Sequence, residues 1–253
     1  MLEDISLQLY IILFFVALFA GFIDSIAGGG GIITIPALLL AGIPPHQALG
    51  VNKLQSCFGS FSAALHFYRN GYLSLKDNII SIICVFICAT FGTLLINVLK
   101  TDFLARIIPF LLIIFAIYFL LSPKITEEQR VVRYGSFVLY LVLGLIGFYD
   151  GFFGPGTGSF LILALIGLGG YGLKSALAYA KLFNFTSNIA SMLVFALGGK
   201  ILFLLGFVMG IGQFIGANIG SKLAIRYGIK IIKPLIVVVS LLICAKLLYN
   251  QYF

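Results

Sequence analysis

A glycine-rich break occurs twice in this chain and restricts the possible folds more than any other feature. The first copy reads Gly21-Phe-Ile-Asp24-Ser25-Ile-Ala-Gly28-Gly29-Gly30-Gly31, and the second reads Gly147-Phe-Tyr-Asp150-Gly151-Phe-Phe-Gly154-Pro155-Gly156-Thr157-Gly158. Each sets an aspartate and then a glycine cluster inside an apolar run, followed by a short apolar stretch of about half a membrane's thickness. A carboxylate at the bilayer centre costs at least ~3 kcal/mol, and clustered glycines give up helical backbone bonds that lipid cannot replace. Such backbone is tolerated where it lines a protein-enclosed or watery cavity. Two breaks in matching halves of a membrane chain point to a transport site at the repeat interface.

The membrane reading rests on composition. The chain is 61% apolar and 9% charged, with 25 Phe among 253 residues, and its mean hydropathy is +1.16. A soluble domain of this size has too little polar surface to cover such a chain. The longest polar interval runs only from Ser122 to Arg133, so a single transmembrane domain over residues 1–253 is expected. The net charge of +8 comes mainly from basic residues between apolar segments, where they orient the chain on the bilayer; no nucleic-acid partner is implied. Met1-Leu-Glu3-Asp4 has no basic region before the first apolar run, which reads as a retained helix, not a signal peptide. Cys57, Cys84, Cys88 and Cys244 all lie in apolar runs, and His46 and His66 have no metal-ligand spacing. Neither a disulfide framework, a metal site nor a cofactor is implied.

The apolar runs are Leu7 to Ala27, a short Gly31 to Ala41, Ala48 to Tyr68, Ile79 to Leu99 and Phe103 to Leu121, then Tyr134 to Phe153, a short Ser159 to Leu168, Ser175 to Leu197, Ile201 to Ser221 and Ile229 to Tyr249. Long runs cross the hydrocarbon as helices and the short ones reach about halfway. Pro44-Pro45 reads as closing the first half-helix and Gly169-Gly170 the second. The expected fold is an all-α integral membrane protein with an internal duplication. Each repeat, residues 5–121 and 134–250, holds four long transmembrane helices plus one half-helix. Asp24 and Asp150 are offset by 150 − 24 = 126, and Lys53 and Lys181 by 181 − 53 = 128; a two-residue insertion near the second glycine cluster reconciles them.

The charges vote on whether the repeats are parallel or inverted. If each short segment is re-entrant, the basic residues outside Lys53 and Lys181 divide seven against seven. If each completes a crossing, Arg69, Lys76, Lys124, Arg130, Arg133, Lys174, Lys222, Arg226, Lys230 and Lys233 share one side, and only Lys100, Arg106, Lys200 and Lys246 lie opposite. The second division satisfies the positive-inside rule and favours inverted repeats with both termini outside.

The glycine clusters do not match a nucleotide loop. Gly154-Pro-Gly156-Thr-Gly158 lacks the G-x-G-x-x-G spacing, and Gly28 to Gly31 is followed by Ile-Ile-Thr, not Gly-Lys-Ser/Thr. Close helix packing explains Gly212, Gly216 and Gly220 but fits four consecutive glycines poorly. An unwound backbone at Gly28, Gly29, Gly30, Gly31, Gly154, Gly156 and Gly158 instead points N–H groups and half-helix N-termini into a cavity, which suits a small anion. Thr34, Ser25, Thr157 and Ser159 are candidate hydroxyl donors. Asp24 and Asp150 end the preceding helices, where lost hydration and the dipole favour the neutral acid, making both candidates for proton coupling; the plainer role is to tie the break together. From Lys181, Asn184, Asn188 and Ser191 form one polar face, and the first copy offers Asn52, Lys53, Gln55, Ser56 and Ser60. The lysines either snorkel or serve as countercharges for an anion. Tyr149 and Tyr179 are further candidates for the cavity wall.

These residues resemble the TauE/SafE family of membrane permeases, the sulfite exporters. The resemblance covers Gly21 to Gly31, continues through Pro36-Ala-Leu-Leu-Leu to Ala48-Leu-Gly-Val-Asn52-Lys53, and returns in the second half from Asp150-Gly to Lys181-Leu-Phe-Asn184. Val51 departs from the small hydroxyl residue expected before Asn52. The resemblance implies a multi-pass transporter of the bacterial inner membrane for sulfite, thiosulfate or small organosulfonates, without enzymatic activity. A passive anion channel is an alternative. A more distant one is an intramembrane aspartyl protease, whose two carboxylates must share a proton and whose glycine signature precedes its aspartate instead of following it.

Overall fold

The computed structural model describes residues 6–121 and 135–227, and these fold almost entirely as helix. The expected polar loop from Ser122 to Arg133 and the last apolar run, Ile229 to Tyr249, lie outside the described residues. In order, the helices are α1 (Leu7–Ala27), α2 (Gly30–Leu40), α3 (Pro45–Arg69), α4 (Ile79–Val98), α5 (Thr101–Leu121), α6 (Ser136–Phe152), α7 (Thr157–Gly167), α8 (Leu173–Leu197) and α9 (Phe203–Tyr227). Among the described residues four, α1, α4, α8 and the Phe203–Ala224 part of α9, are long and apolar enough to cross a membrane. α3 matches α8 at 25 residues and is the more polar of the two, whereas α6 spans only 17.

Both half-helices are present, each of 11 residues, or about 16 Å of rise. The first does not close at Pro44-Pro45. Gly42, with φ of 78°, donates its N–H to the Leu39 carbonyl at 3.0 Å, and Ile43 donates to Leu38 at 3.1 Å. That is the left-handed glycine cap which satisfies a helix's last carbonyls. Pro45 instead opens α3 at its first turn, where a missing N–H costs nothing. The second does close at Gly169-Gly170: Gly169 donates to the Ala164 carbonyl at 3.2 Å and Gly170 takes the left-handed φ of 68°.

Side-chain distribution is that of a lipid-embedded protein. On α4, Ile80, Ile83, Ile87, Phe91, Leu94 and Val98 are exposed, and on α9 Leu204, Phe207, Ile211, Ile215, Ile219 and Leu223. Their spacing of three and four residues makes one apolar stripe per helix. The polar residues are inside: Asn52, Lys53, Gln55, Ser60, Lys181, Ser187, Asn188 and Ser191 are all buried. In water this arrangement would be inverted; in lipid it is the stable one.

Glycine sets how closely the helices pack. A Cβ on Gly216 would overlap the Leu18 carbonyl, and Gly212 and Gly220 stand likewise against the backbones of Phe14 and Phe22. Contacts that advance together, 14 with 212, 18 with 216 and 22 with 220, mean that α1 and α9 run in the same direction. α3 also runs with α9, since Leu54 meets Gly206 and Phe58 meets Gly210, while Ser62 donates to the Phe214 carbonyl at 3.1 Å. Thus the chain rises through α1, returns partway through α2, and rises again through α3. α8 runs against α3: Cys57 lies 4.0 Å from the Met192 sulfur, and the Phe61 and Phe185 rings are 5.4 Å apart. α4 and α6 form a second close pair, with Gly92 on the Phe148 backbone and Gly151 on that of Ala89. Gly216→Ala is expected to part α1 from α9 and destabilise the protein by about 1–3 kcal/mol, read as a lower unfolding temperature in detergent; an unchanged temperature would refute the close contact.

Candidate functional site

The two glycine breaks touch. Built onto Gly28, a Cβ would lie 2.5 Å from the carbonyl carbon of Gly158 and 2.6 Å from the Ser159 nitrogen. The Ser159 hydroxyl donates to the Ala27 carbonyl at 2.7 Å, joining the end of α1 to the start of α7. Asp24 accepts from the Gly30 N–H at 3.1 Å and so caps α2 across the first break. In the second break Thr157 donates to Asp150 at 3.0 Å, and the Tyr149 hydroxyl donates to the Pro155 carbonyl at 2.5 Å.

The lysines cross between the halves. Lys53, on α3, pairs with Asp150 at the end of α6, and Lys181, on α8, pairs with Asp24 at the end of α1; both N–O distances are 2.8 Å. Each ammonium also donates to the backbone carbonyl of the same aspartate, so it meets both a carboxylate and the negative end of a helix dipole. The lysine side chains are 1% and 0% exposed, and those of Asp150 and Asp24 are 2% and 12%. The carboxylates are therefore not isolated. Asp150 is held more completely, because Ser187 donates to its second oxygen and Asn184 approaches at 3.5 Å.

A cavity of about 20 Å³ lies between the breaks, large enough to hold water. It is walled by Asp24, Gly28, Gly31, Asn52 and Ser56 from the first half and by Asp150, Gly154, Gly156, Thr157, Gly158, Asn184 and Asn188 from the second. Every one is polar or glycine. The structure thus gathers most of the candidate residues around one cavity. Gly29, Gly30, Lys53 and Lys181 stand outside this wall, the lysines behind the carboxylates. The asparagines are ordered by their neighbours: Thr34 donates to Asn52 at 2.6 Å, Gln55 donates to it at 3.2 Å, and Asn188 donates to Asn184 at 3.0 Å.

Some expected residues lie elsewhere. Ser25 is turned away, donating to the Phe22 carbonyl at 2.9 Å, and packs against Gly220 of α9. Tyr149 braces the second break, whereas Tyr179 accepts from the Ser74 N–H at 3.2 Å and meets the Tyr171 ring edge-on at 5.0 Å. Conversely, sequence reasoning passes over Ser187 and Thr93. Thr93 is buried in an apolar helix, with the carbonyls of Ala89 and Gly151 and the Ser191 hydroxyl each 2.9 Å from its Oγ1. A single hydroxyl in a membrane helix carries no periodic signal, so nothing in the sequence distinguishes it from one bonded to its own backbone.

Comparison with known proteins adds the identity that geometry cannot. The chain is 51% identical over 242 residues to the "Probable membrane transporter protein YfcA" of Escherichia coli (strain K12), covering 95% of this chain and 90% of that protein. It is 48% identical over 250 residues to a "Probable membrane transporter protein" of Haemophilus influenzae, covering 98% of each. A more distant relative, "Probable membrane transporter protein YunE" of Bacillus subtilis, is 22% identical over 270 residues. No solved structure matches. The family described as "Sulfite exporter TauE/SafE" matches residues 13–247, which is nearly the whole chain, and this membrane-embedded protein belongs to the TauE/SafE family of membrane transporters.

Proposed function

We propose that this protein is a secondary transporter of small sulfur-containing anions, sulfite, thiosulfate or an organosulfonate, coupled to protons and resident in a bacterial inner membrane. The observation that carries the reading is the crossed pair of buried Lys–Asp bridges around a wholly polar cavity where two half-helices begin. Half-helix N-termini favour negative charge, the two lysines are the nearest countercharges, and Asp24 and Asp150 are the proton carriers. Sulfur as the substrate element comes from the family's description alone.

The architecture in this proposal is a single domain of two inverted repeats, residues 5–121 and 134–250. Exchanging the halves maps α1 onto α6, α2 onto α7, α3 onto α8 and α4 onto α9. The packing supports that exchange: α1 on α9 mirrors α6 on α4, and each lysine reaches the other half's aspartate. α3 and α8, equivalent under the exchange, run in opposite directions, as a two-fold axis in the membrane plane requires. The direction of α3 also accords with the ten-against-four division of basic residues, which puts both termini outside.

A channel with the same lining is the second reading, and saturation separates the two. The bridges argue against protease chemistry, since each carboxylate is bound to its own lysine instead of sharing one proton with the other. In proteoliposomes the purified protein is expected to take up labelled sulfite or thiosulfate with saturable kinetics, accelerated by a pH gradient. A panel of anions that shows no saturable flux would overturn the proposal.

A further inference from the structure

The order of charges around the cavity dictates what must accompany the substrate. Asp24 and Asp150 are among the residues of the wall, and Lys53 and Lys181 are bound to them. Both ammonium groups are committed to the aspartates, at 2.8 Å to the carboxylate and again to the backbone carbonyl. Two carboxylates and two ammonium groups sum to zero charge. Among the described residues, Cys57 on α3 and Tyr149 on α6 also lie near Asp150, and a thiol and a phenol are ordinarily neutral at pH 7.

An anion placed here lies against Asp24 and Asp150, whose lysines are already engaged. Like charges a few ångströms apart in a low dielectric repel strongly, and a buried charge without a partner costs several kcal/mol. Protonation reverses this. A neutral carboxyl donates one hydrogen bond in place of repelling, and the lysine behind it is left with a positive charge for the anion to neutralise. Each proton taken up by an aspartate therefore makes room for one negative charge on the substrate.

Resting on the anion reading above, we propose that this carrier binds its anion only together with protons on Asp24 and Asp150, one for each negative charge, and moves the set as an electroneutral unit. The protons come from the aqueous phase that the cavity faces and sit on carboxylate oxygens while the anion is bound. They leave with the anion on the other side, where both Lys–Asp bridges re-form. A dianion travels with two protons and a monoanionic sulfonate with one.

The test uses proteoliposomes, labelled thiosulfate, which stays fully ionised near neutral pH, a trapped pH dye, and potassium diffusion potentials of either sign. Wild-type protein is expected to move about two protons per thiosulfate, at a rate the imposed voltage does not change. Asp24→Asn, which leaves Lys181 as a fixed positive charge, is expected to lower the ratio from about two to about one; should that variant fail to fold, the wild-type ratio and voltage response decide. Saturable thiosulfate flux that is driven by voltage and moves no protons overturns this inference while leaving anion transport standing. Complete absence of thiosulfate flux, with sulfite and sulfonates equally inert, overturns the transport reading and this inference with it.

Discussion

Lys181→Met is expected to destabilise the folded protein by about 3–5 kcal/mol, the range for removing one partner of a buried ion pair. Lys181 is fully buried, its ammonium 2.8 Å from Asp24, and methionine of similar length leaves that carboxylate, among the described residues, with the Gly30 N–H alone. On sequence alone this substitution reads as a loss of anion affinity in an intact protein. The crossed bridge changes the expectation: folding suffers first. Lys53→Met is expected to cost less, because Asp150 keeps the hydroxyls of Thr157 and Ser187. Adding Asp24→Asn to Lys181→Met removes the stranded charge and is expected to restore more than half of the loss. Unfolding of the two singles and the double in mild detergent checks this. If the singles match wild type to within about 0.5 kcal/mol, the level of ordinary surface substitutions, the bridges do not hold the halves together.

Gly28→Ala is expected to abolish transport and to reduce stability by about 2–5 kcal/mol. Two costs add there. Gly28 has φ of 81°, a left-handed conformation that costs about 1–2 kcal/mol for any residue with a Cβ. The new methyl group would also sit 2.5–2.6 Å from the backbone of Gly158 and Ser159, and such overpacking costs about 1–3 kcal/mol. Gly42→Ala separates the two contributions. Gly42 has a similar φ of 78°, yet a Cβ there has nothing within 4 Å, so it carries the conformational cost alone and transport should survive. Equal losses in the two variants would mean that contact between the breaks has no special role.

How much of this could be read from the sequence depends on the kind of information involved. α1 runs from Leu7 to Ala27, the same bounds the apolar run suggests, because hydrophobic length is written residue by residue. The two half-helices are legible for the same reason, and Asp24 and Asp150 draw notice because a carboxylate in an apolar run is too costly to be incidental. The start of α3 is less legible. A Pro-Pro pair equally well ends one helix or begins the next, and only the Gly42 cap decides between them. The crossing of the lysines is not legible at all. Repeat spacing aligns Asp24 with Asp150 and Lys53 with Lys181, which shows likeness and not contact. Which lysine meets which aspartate follows from α3 and α8 passing in opposite directions, and that is a property of the packed helices.

The bridge between Asp24 and Lys181 spans 157 residues of chain, and this has a consequence for how the protein is made. At about 5–20 residues per second of synthesis, roughly 10–30 s pass between the emergence of Asp24 and that of its partner. Throughout that interval Asp24 is without its folded partner Lys181, and Lys53 likewise awaits Asp150. Until α8 arrives, a proton on Asp24 or a transient partner such as Lys53 is expected to offset the cost of that carboxylate in the membrane. The two crossed bridges therefore close late in synthesis, after α6 and α8 have emerged.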